Sequence, residues 1–191
     1  MADNNVQEKR WAKRIAINAT IRLNSLNTDP AITDYDREEI SVDVINISKG
    51  GMAFARQLAA EGYRLVLVAR RENRLQALAE ELKKSGTESM VITADLSEKE
   101  ACYRLMQQLE PVPVGILINN AGFGDCGSFL ETDAEKEMQM IDVNVKAMHL
   151  LMKLMLRRME KQEGGYILNV ASSAGLLPAG PYMATYYATK D

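Results

Sequence analysis

From residue 64 onward, short apolar runs alternate with stretches whose apolar residues recur at helical spacing. Residues 64–69 (Arg-Leu-Val-Leu-Val-Ala), 90–94, 114–118 and 166–170 are short, rich in Val, Ile and Leu, and bounded by polar or glycine-containing segments, so they read as strands. Between them, residues 73–84, a segment running to about residue 109, and residues 134–161 carry the helical period, the last as one long helix or two consecutive ones. Ser97 and Glu100 have the spacing of a capping box, which would open the second of these helices. Strands and helices alternating at this interval predict parallel βαβ units, and so a Rossmann-like three-layer α/β fold. Met148, Met152, Met155 and Met159 fall on one helix face, where core packing explains them.

Ahead of this region the pattern changes. Residues 15–23 alternate apolar and polar positions like a half-buried strand, and residues 24–39, rich in Asn, Asp and Thr with Pro30, read as a loop. Residues 40–47 alternate again and are expected to end in a turn over 48–51, before a helical pattern over 52–61. Such a strand fits the first position of a Rossmann sheet, and it fits an antiparallel barrel equally well.

Composition narrows the function classes. The chain has 191 residues, 47% apolar and 26% charged, enough for one sizeable core and tight for two full domains. The net charge of −3 argues against nucleic acid or an anionic membrane as partner, and no apolar run approaches the length of a membrane span, so the cytoplasm is the expected location. Cys102, Cys126 and the single His149 form no ligand or redox pattern, so no metal site is expected.

The candidate chemistry lies near the end of the chain. Tyr186 and Lys190 are four apart on one helix face, so the ammonium is positioned to lower the phenol pKa and make the tyrosine a proton donor or acceptor. Upstream stand Asn119-Asn120-Ala121-Gly122 after a strand, and Asn144 within Asp-Val-Asn-Val. In their order and separations these residues resemble the short-chain dehydrogenase/reductase family, over about residues 51–190. The resemblance implies hydride transfer between a nicotinamide cofactor and a carbonyl or alcohol substrate. It makes Tyr186 the general acid/base, Lys190 its activator and ribose ligand, Ser172 the group that polarises the substrate oxygen, and Asn144 the support of a water relay to Lys190. Distance from Asn169 selects Ser172, whereas the commoner interval to the tyrosine selects Ser173. The implied cofactor contacts are Gly51, Arg70, Arg71, Asp95, Asn120, Ala121 and Gly122, together with Tyr186 and Lys190. Two arginines at the end of a strand suit a 2′-phosphate, which points to NADP ahead of NAD. Ile45 and Lys49 stand where the family has turn glycines, so a weakened approach of backbone N–H groups to a pyrophosphate is expected. Family members commonly associate through the long helices, here near residues 142–158, so a homo-oligomer is a candidate assembly.

A second resemblance overlaps the first. Arg10 and Arg14, spaced Arg-x-x-x-Arg, with Asn46, Ser48 and Gly51, spaced Asn-x-Ser-x-x-Gly, are similar to the two motifs of PilZ domains. There the motifs together bind cyclic di-GMP, and guanidinium forks suit both phosphate and guanine. The likeness covers about residues 8–54, half of such a barrel. It divides the chain into a PilZ-like segment over 1–51 and a dehydrogenase-like Rossmann domain over 52–191. The second part stops one residue past Lys190, where the family continues, so the expected sheet is incomplete and its activity impaired. The sequence therefore leaves three readings: an NADP-dependent oxidoreductase, a cyclic di-GMP module, and a fusion fragment without function.

Overall fold

The computed structural model describes residues 42–43, 49–162, 164–176 and 182–190. In chain order the elements are β1 (Val42–Asp43), α1 (Lys49–Ala60), β2 (Leu65–Ala69), α2 (Glu72–Lys84), β3 (Ser89–Thr93), α3 (Lys99–Gln108) and β4 (Ile116–Asn119). There follow α4 (Ala134–Ile141), a π-helical segment (Asp142–Ala147), α5 (Met148–Lys161), β5 (Tyr166–Asn169), a 3-10 turn (Ser173–Gly175) and α6 (Ala184–Lys190). Every strand pairing is parallel: β2 with β3 from Leu65↔Ser89 to Ala69↔Thr93, β1 with β4 at Val42↔Ile116, and β4 with β5 from Ile116↔Tyr166 to Asn119↔Asn169. The hydrogen-bonded ladders form two sheets, β1-β4-β5 and β2-β3, and β1 lies against β2, which sets the strands side by side in the Rossmann order 3-2-1-4-5.

β2 shows why the sheet needs helices on both faces. Its side chains alternate between two apolar clusters. Leu65 and Leu67 pack with Leu58 of α1 and with Leu75, Leu78 and Leu82 of α2. Val66 and Val68 pack with Leu105 of α3 and with Leu151, Met155 and Met159 of α5. A strand buried on both faces reads as a continuous apolar run, as Leu65–Ala69 does. Burial of each large apolar side chain contributes about 1.5–3 kcal/mol. Of the four methionines expected to pack in the core, Met155 and Met159 are buried, while Met148 and Met152 are half-buried.

Two helix ends are fixed by glycines. After α1, Gly62 adopts φ +86°, its N–H bonding Ala59 O while that of Tyr63 bonds Leu58 O. After α2, Gly86 adopts φ +90° with the same pair of bonds, to Lys83 and Leu82. This is the Schellman arrangement, which only glycine enters without strain. The C-terminal end of α3 is satisfied differently: the Arg158 guanidinium of α5 donates to the carbonyls of Leu109, Glu110 and Val112.

Two sequence expectations are corrected. Lys49, Gly50 and Gly51 belong to the first turn of α1, not to a separate turn over 48–51. The capping box at Ser97 and Glu100 does not form. Asp95 Oδ1 takes both the Ser97 N–H (3.0 Å) and its hydroxyl (2.7 Å), and α3 opens after Glu98, whose side chain makes no cap bond. A carboxylate two residues upstream outcompetes the cap: Asp95 closes an Asx turn with the Ser97 N–H and engages the hydroxyl as well.

Candidate active site

The run of residues 134–161 is one continuous helical rod interrupted by the π segment. The wider turn there carries Asn144, which is 2% exposed. Its amide binds two other segments. Nδ2 donates to Phe123 O (2.9 Å) and to Thr189 Oγ1 (2.9 Å), while Oδ1 accepts from Phe123 N (3.1 Å). One side chain thus ties the loop after β4 to α6, the short helix bearing both Tyr186 and Lys190.

That loop approaches so closely because of its glycines. A Cβ added at Gly122 would sit 3.0 Å from Asn144 Oδ1 and 3.2 Å from Lys190 Nζ. At Gly124 it would sit 3.0 to 3.3 Å from three atoms of the Tyr186 ring. The Lys190 ammonium therefore lies over Gly122, and the Tyr186 phenol ring lies over Gly124. Burial pushes the Lys190 amine below its ordinary value, because desolvation disfavours the charged form.

The other side of the loop forms a groove at the carboxyl ends of the strands. It is lined by Arg70 and Arg71 after β2, Asp95 after β3, Ala121 and Gly122 after β4, and Val143 of the π segment. Ligands of open parallel sheets bind in this position, outside the strand ends. Arg70 Nη1 stands 3.7 Å from Asp95 Oδ2, both side chains partly exposed, so one cation of the pair is held over the groove by its own carboxylate neighbour. The residues fit an elongated anionic nucleotide: donors and cations at one end, a cradle without side chain at Gly122, and a half-buried amine beyond it.

A model of the family described as short chain dehydrogenase matches residues 42–191. The chain belongs to the short-chain dehydrogenase family. It is 36% identical over 176 residues to a very-long-chain 3-oxoacyl-CoA reductase of Podospora anserina, covering 88% of this chain and 52% of that protein. It is 32% identical over 144 residues to the mouse 17-beta-hydroxysteroid dehydrogenase type 3 (Mus musculus), covering 73% of this chain and 47% of the other. Among solved structures it is similar to a short-chain dehydrogenase from Sphingobium yanoikuyae in complex with NADPH. The TM-score is 0.72 and the identity 34%, over 79% of this chain and 60% of that one. The chain spans about half the length of the curated relatives it matches.

Within this member of the family the expected site residues fall as follows. Gly51 is buried in α1. Arg70, Arg71, Asp95, Ala121 and Gly122 share the groove, and Asn120 leads into it. Asn144, Tyr186 and Lys190 meet at the loop after β4. Ser172 caps the 3-10 turn, its Oγ accepting from Ala174 N at 3.2 Å, while Ser173 lies within the turn and is exposed. α6 packs against this turn. Arg10, Arg14, Asn46 and Ser48 lie outside the described residues. Among the described residues no cluster of metal-ligating side chains occurs, and no helix is long and apolar enough to cross a membrane.

Thr189, Phe123 and Gly124 were not singled out by sequence reasoning. The available signal for Thr189 was its place one residue before Lys190, between two segments that must meet.

Proposed function

We propose that the chain carries the catalytic half of an NADP-dependent oxidoreductase that interconverts a carbonyl and an alcohol. The observation that carries this reading is the convergence of Tyr186, Lys190 and Asn144 on one glycine-bearing loop beside a groove with two arginines. Arg70 and Arg71 would hold the 2′-phosphate, Asp95 the adenine end, and Asn120, Ala121 and Gly122 the turn along which the cofactor passes. Gly51, in the first turn of α1, would lie beside the pyrophosphate, where helix N–H groups and dipole favour an anion. When bound, the cofactor supplies the hydride. The protein's own residues handle the proton: Tyr186 gives it to the developing alkoxide, Lys190 stands on the same helix four residues on, and Ser172 or Ser173 donates to the substrate oxygen. Asn144 holds the loop and α6 in register for that transfer.

The substrate we propose has its carbonyl on a long apolar body, such as a 3-oxoacyl thioester. The pocket beside Tyr186 offers Phe129, Met140 and Tyr182 to such a body, Phe129 and Tyr182 being largely exposed, while Asp125, Thr132 and Glu137 line its polar part. Relatives named for acting on 3-oxoacyl-CoA and 17-beta-hydroxysteroids agree with an apolar substrate. A cytoplasmic location and self-association through the helix over residues 142–158 belong to the same reading. The cyclic di-GMP alternative rests on the spacing of Arg10, Arg14, Asn46, Ser48 and Gly51 alone.

The test is calorimetric titration with NADPH and, in parallel, with cyclic di-GMP, followed by NADPH oxidation on addition of acetoacetyl-CoA. Tyr186→Phe should retain NADPH binding and lose turnover. Binding of cyclic di-GMP without NADPH would transfer the function to the N-terminal motifs, and silence towards both would leave a fragment without cofactor function.

A further inference from the structure

We infer that Thr189 is a positioning residue that couples Asn144 to the helix turn carrying Tyr186 and Lys190. Its hydroxyl makes two bonds of opposite sense: it accepts from Asn144 Nδ2 at 2.9 Å and donates to Tyr186 O at 2.8 Å. The second bond reaches back three residues to the carbonyl of the tyrosine itself, within the last turn of α6. The first bond anchors the same hydroxyl to the π segment, whose Asn144 is also clamped to both polar groups of Phe123. Helix α6 has only seven residues and none of them is buried, so apolar packing alone holds it weakly. The hydroxyl lies between the backbone of Tyr186 and the side chain beside Lys190. Its loss lets the terminal turn shift relative to Gly122 and Gly124, over which the amine and the phenol ring rest.

The kinetic part of this inference rests on the oxidoreductase reading above. The full chain is compared with Thr189→Val, which keeps the shape and removes both bonds, and with Thr189→Ser, which keeps both. Two measurements are made. The first is NADPH-dependent turnover of acetoacetyl-CoA; the second is amide hydrogen exchange over residues 184–190 in the chain without ligand. Thr189→Val should lower kcat about tenfold or more with KM within about twofold, since both bonds of the hydroxyl are spent on Asn144 and Tyr186, and exchange should quicken about tenfold across α6. Thr189→Ser should return both readouts to within about threefold of the original chain. Unchanged kcat in Thr189→Val, a loss that appears in KM instead, or failure of Thr189→Ser to restore kcat would overturn the coupling. If the unaltered chain neither binds NADPH nor turns over, the oxidoreductase reading fails, and exchange alone then decides Thr189: equal rates in all three chains refute it, and faster exchange in Thr189→Val alone sustains it.

Discussion

Replacing Gly122 by alanine probes the site with the smallest possible addition. Gly122 does not adopt a positive φ, so the new methyl brings no backbone strain, and its cost comes from contacts. It would stand 3.0 Å from Asn144 Oδ1 and 3.2 Å from Lys190 Nζ, so both must retreat by a few tenths of an ångström. The amine sits at the end of a long stem and can move. Asn144 Oδ1 cannot move freely, because it accepts from Phe123 N at 3.1 Å, and a retreat of that size stretches the bond towards its limit. Weakening one such bond costs about 1 kcal/mol, and overpacking of this kind about 1–3 kcal/mol in all. A useful comparison is Gly62→Ala: nothing lies within 4 Å of the added atom, but φ is +86°, and a left-handed alanine costs about 1–2 kcal/mol. Urea unfolding should find the two variants destabilised to a similar degree. NADPH titration and acetoacetyl-CoA turnover should separate them, with Gly122→Ala losing at least about tenfold in turnover and Gly62→Ala keeping it. Equal turnover in the two variants would refute the placement of Asn144 and Lys190 around Gly122.

Two other outcomes are expected. The double variant Arg70→Ala, Arg71→Ala should weaken NADPH binding by about ten- to a hundredfold, the worth of a charge-assisted phosphate contact, and leave NADH binding nearly unchanged. An equal loss for both dinucleotides in parallel titrations would remove the 2′-phosphate from this strand end. For Lys190 the folded state lowers the amine below its ordinary value of 10.5, so in the window just below that value the unfolded chain holds more protons and stability rises with pH. Unfolding curves should show the original chain gaining stability relative to Lys190→Met as pH climbs towards 10.5, and a difference independent of pH would contradict burial of the amine.

The alternation of β and α elements was legible because it is written in long-range periodicity: the run Leu65–Ala69 and the leucines of α2 can serve only a sheet covered on both faces. Strand positions were legible to within about two residues, as at Ile116–Asn119, since where a parallel strand begins depends on its neighbour's register. The Tyr186, Lys190, Asn144 and Gly122 constellation was legible through its fixed spacings. The π segment was not, because an extra residue in one turn leaves an apolar pattern that still looks helical. The cap at Ser97 was misjudged because a local carboxylate, Asp95, competed for the same hydroxyl. Thr189 was missed because its partners, Asn144 and the carbonyl of Tyr186, are brought together only by the packing of α6 on the π segment.

The π segment also has a bearing on how this rod can change length. Met140 before it and Leu151, Met155 and Met159 after it are all buried, while Asn144 between them turns its amide towards the loop after β4. Deleting one residue within Asp142–Ala147 would close the wide turn into ordinary helix and keep the two halves in register, because the extra residue is what the π turn absorbs. The buried side chains on either side would hold their faces, and the cost would fall on Asn144, whose amide reaches Phe123 and Thr189 from the wide turn. The core can therefore accept the loss of a single position here, and the site cannot.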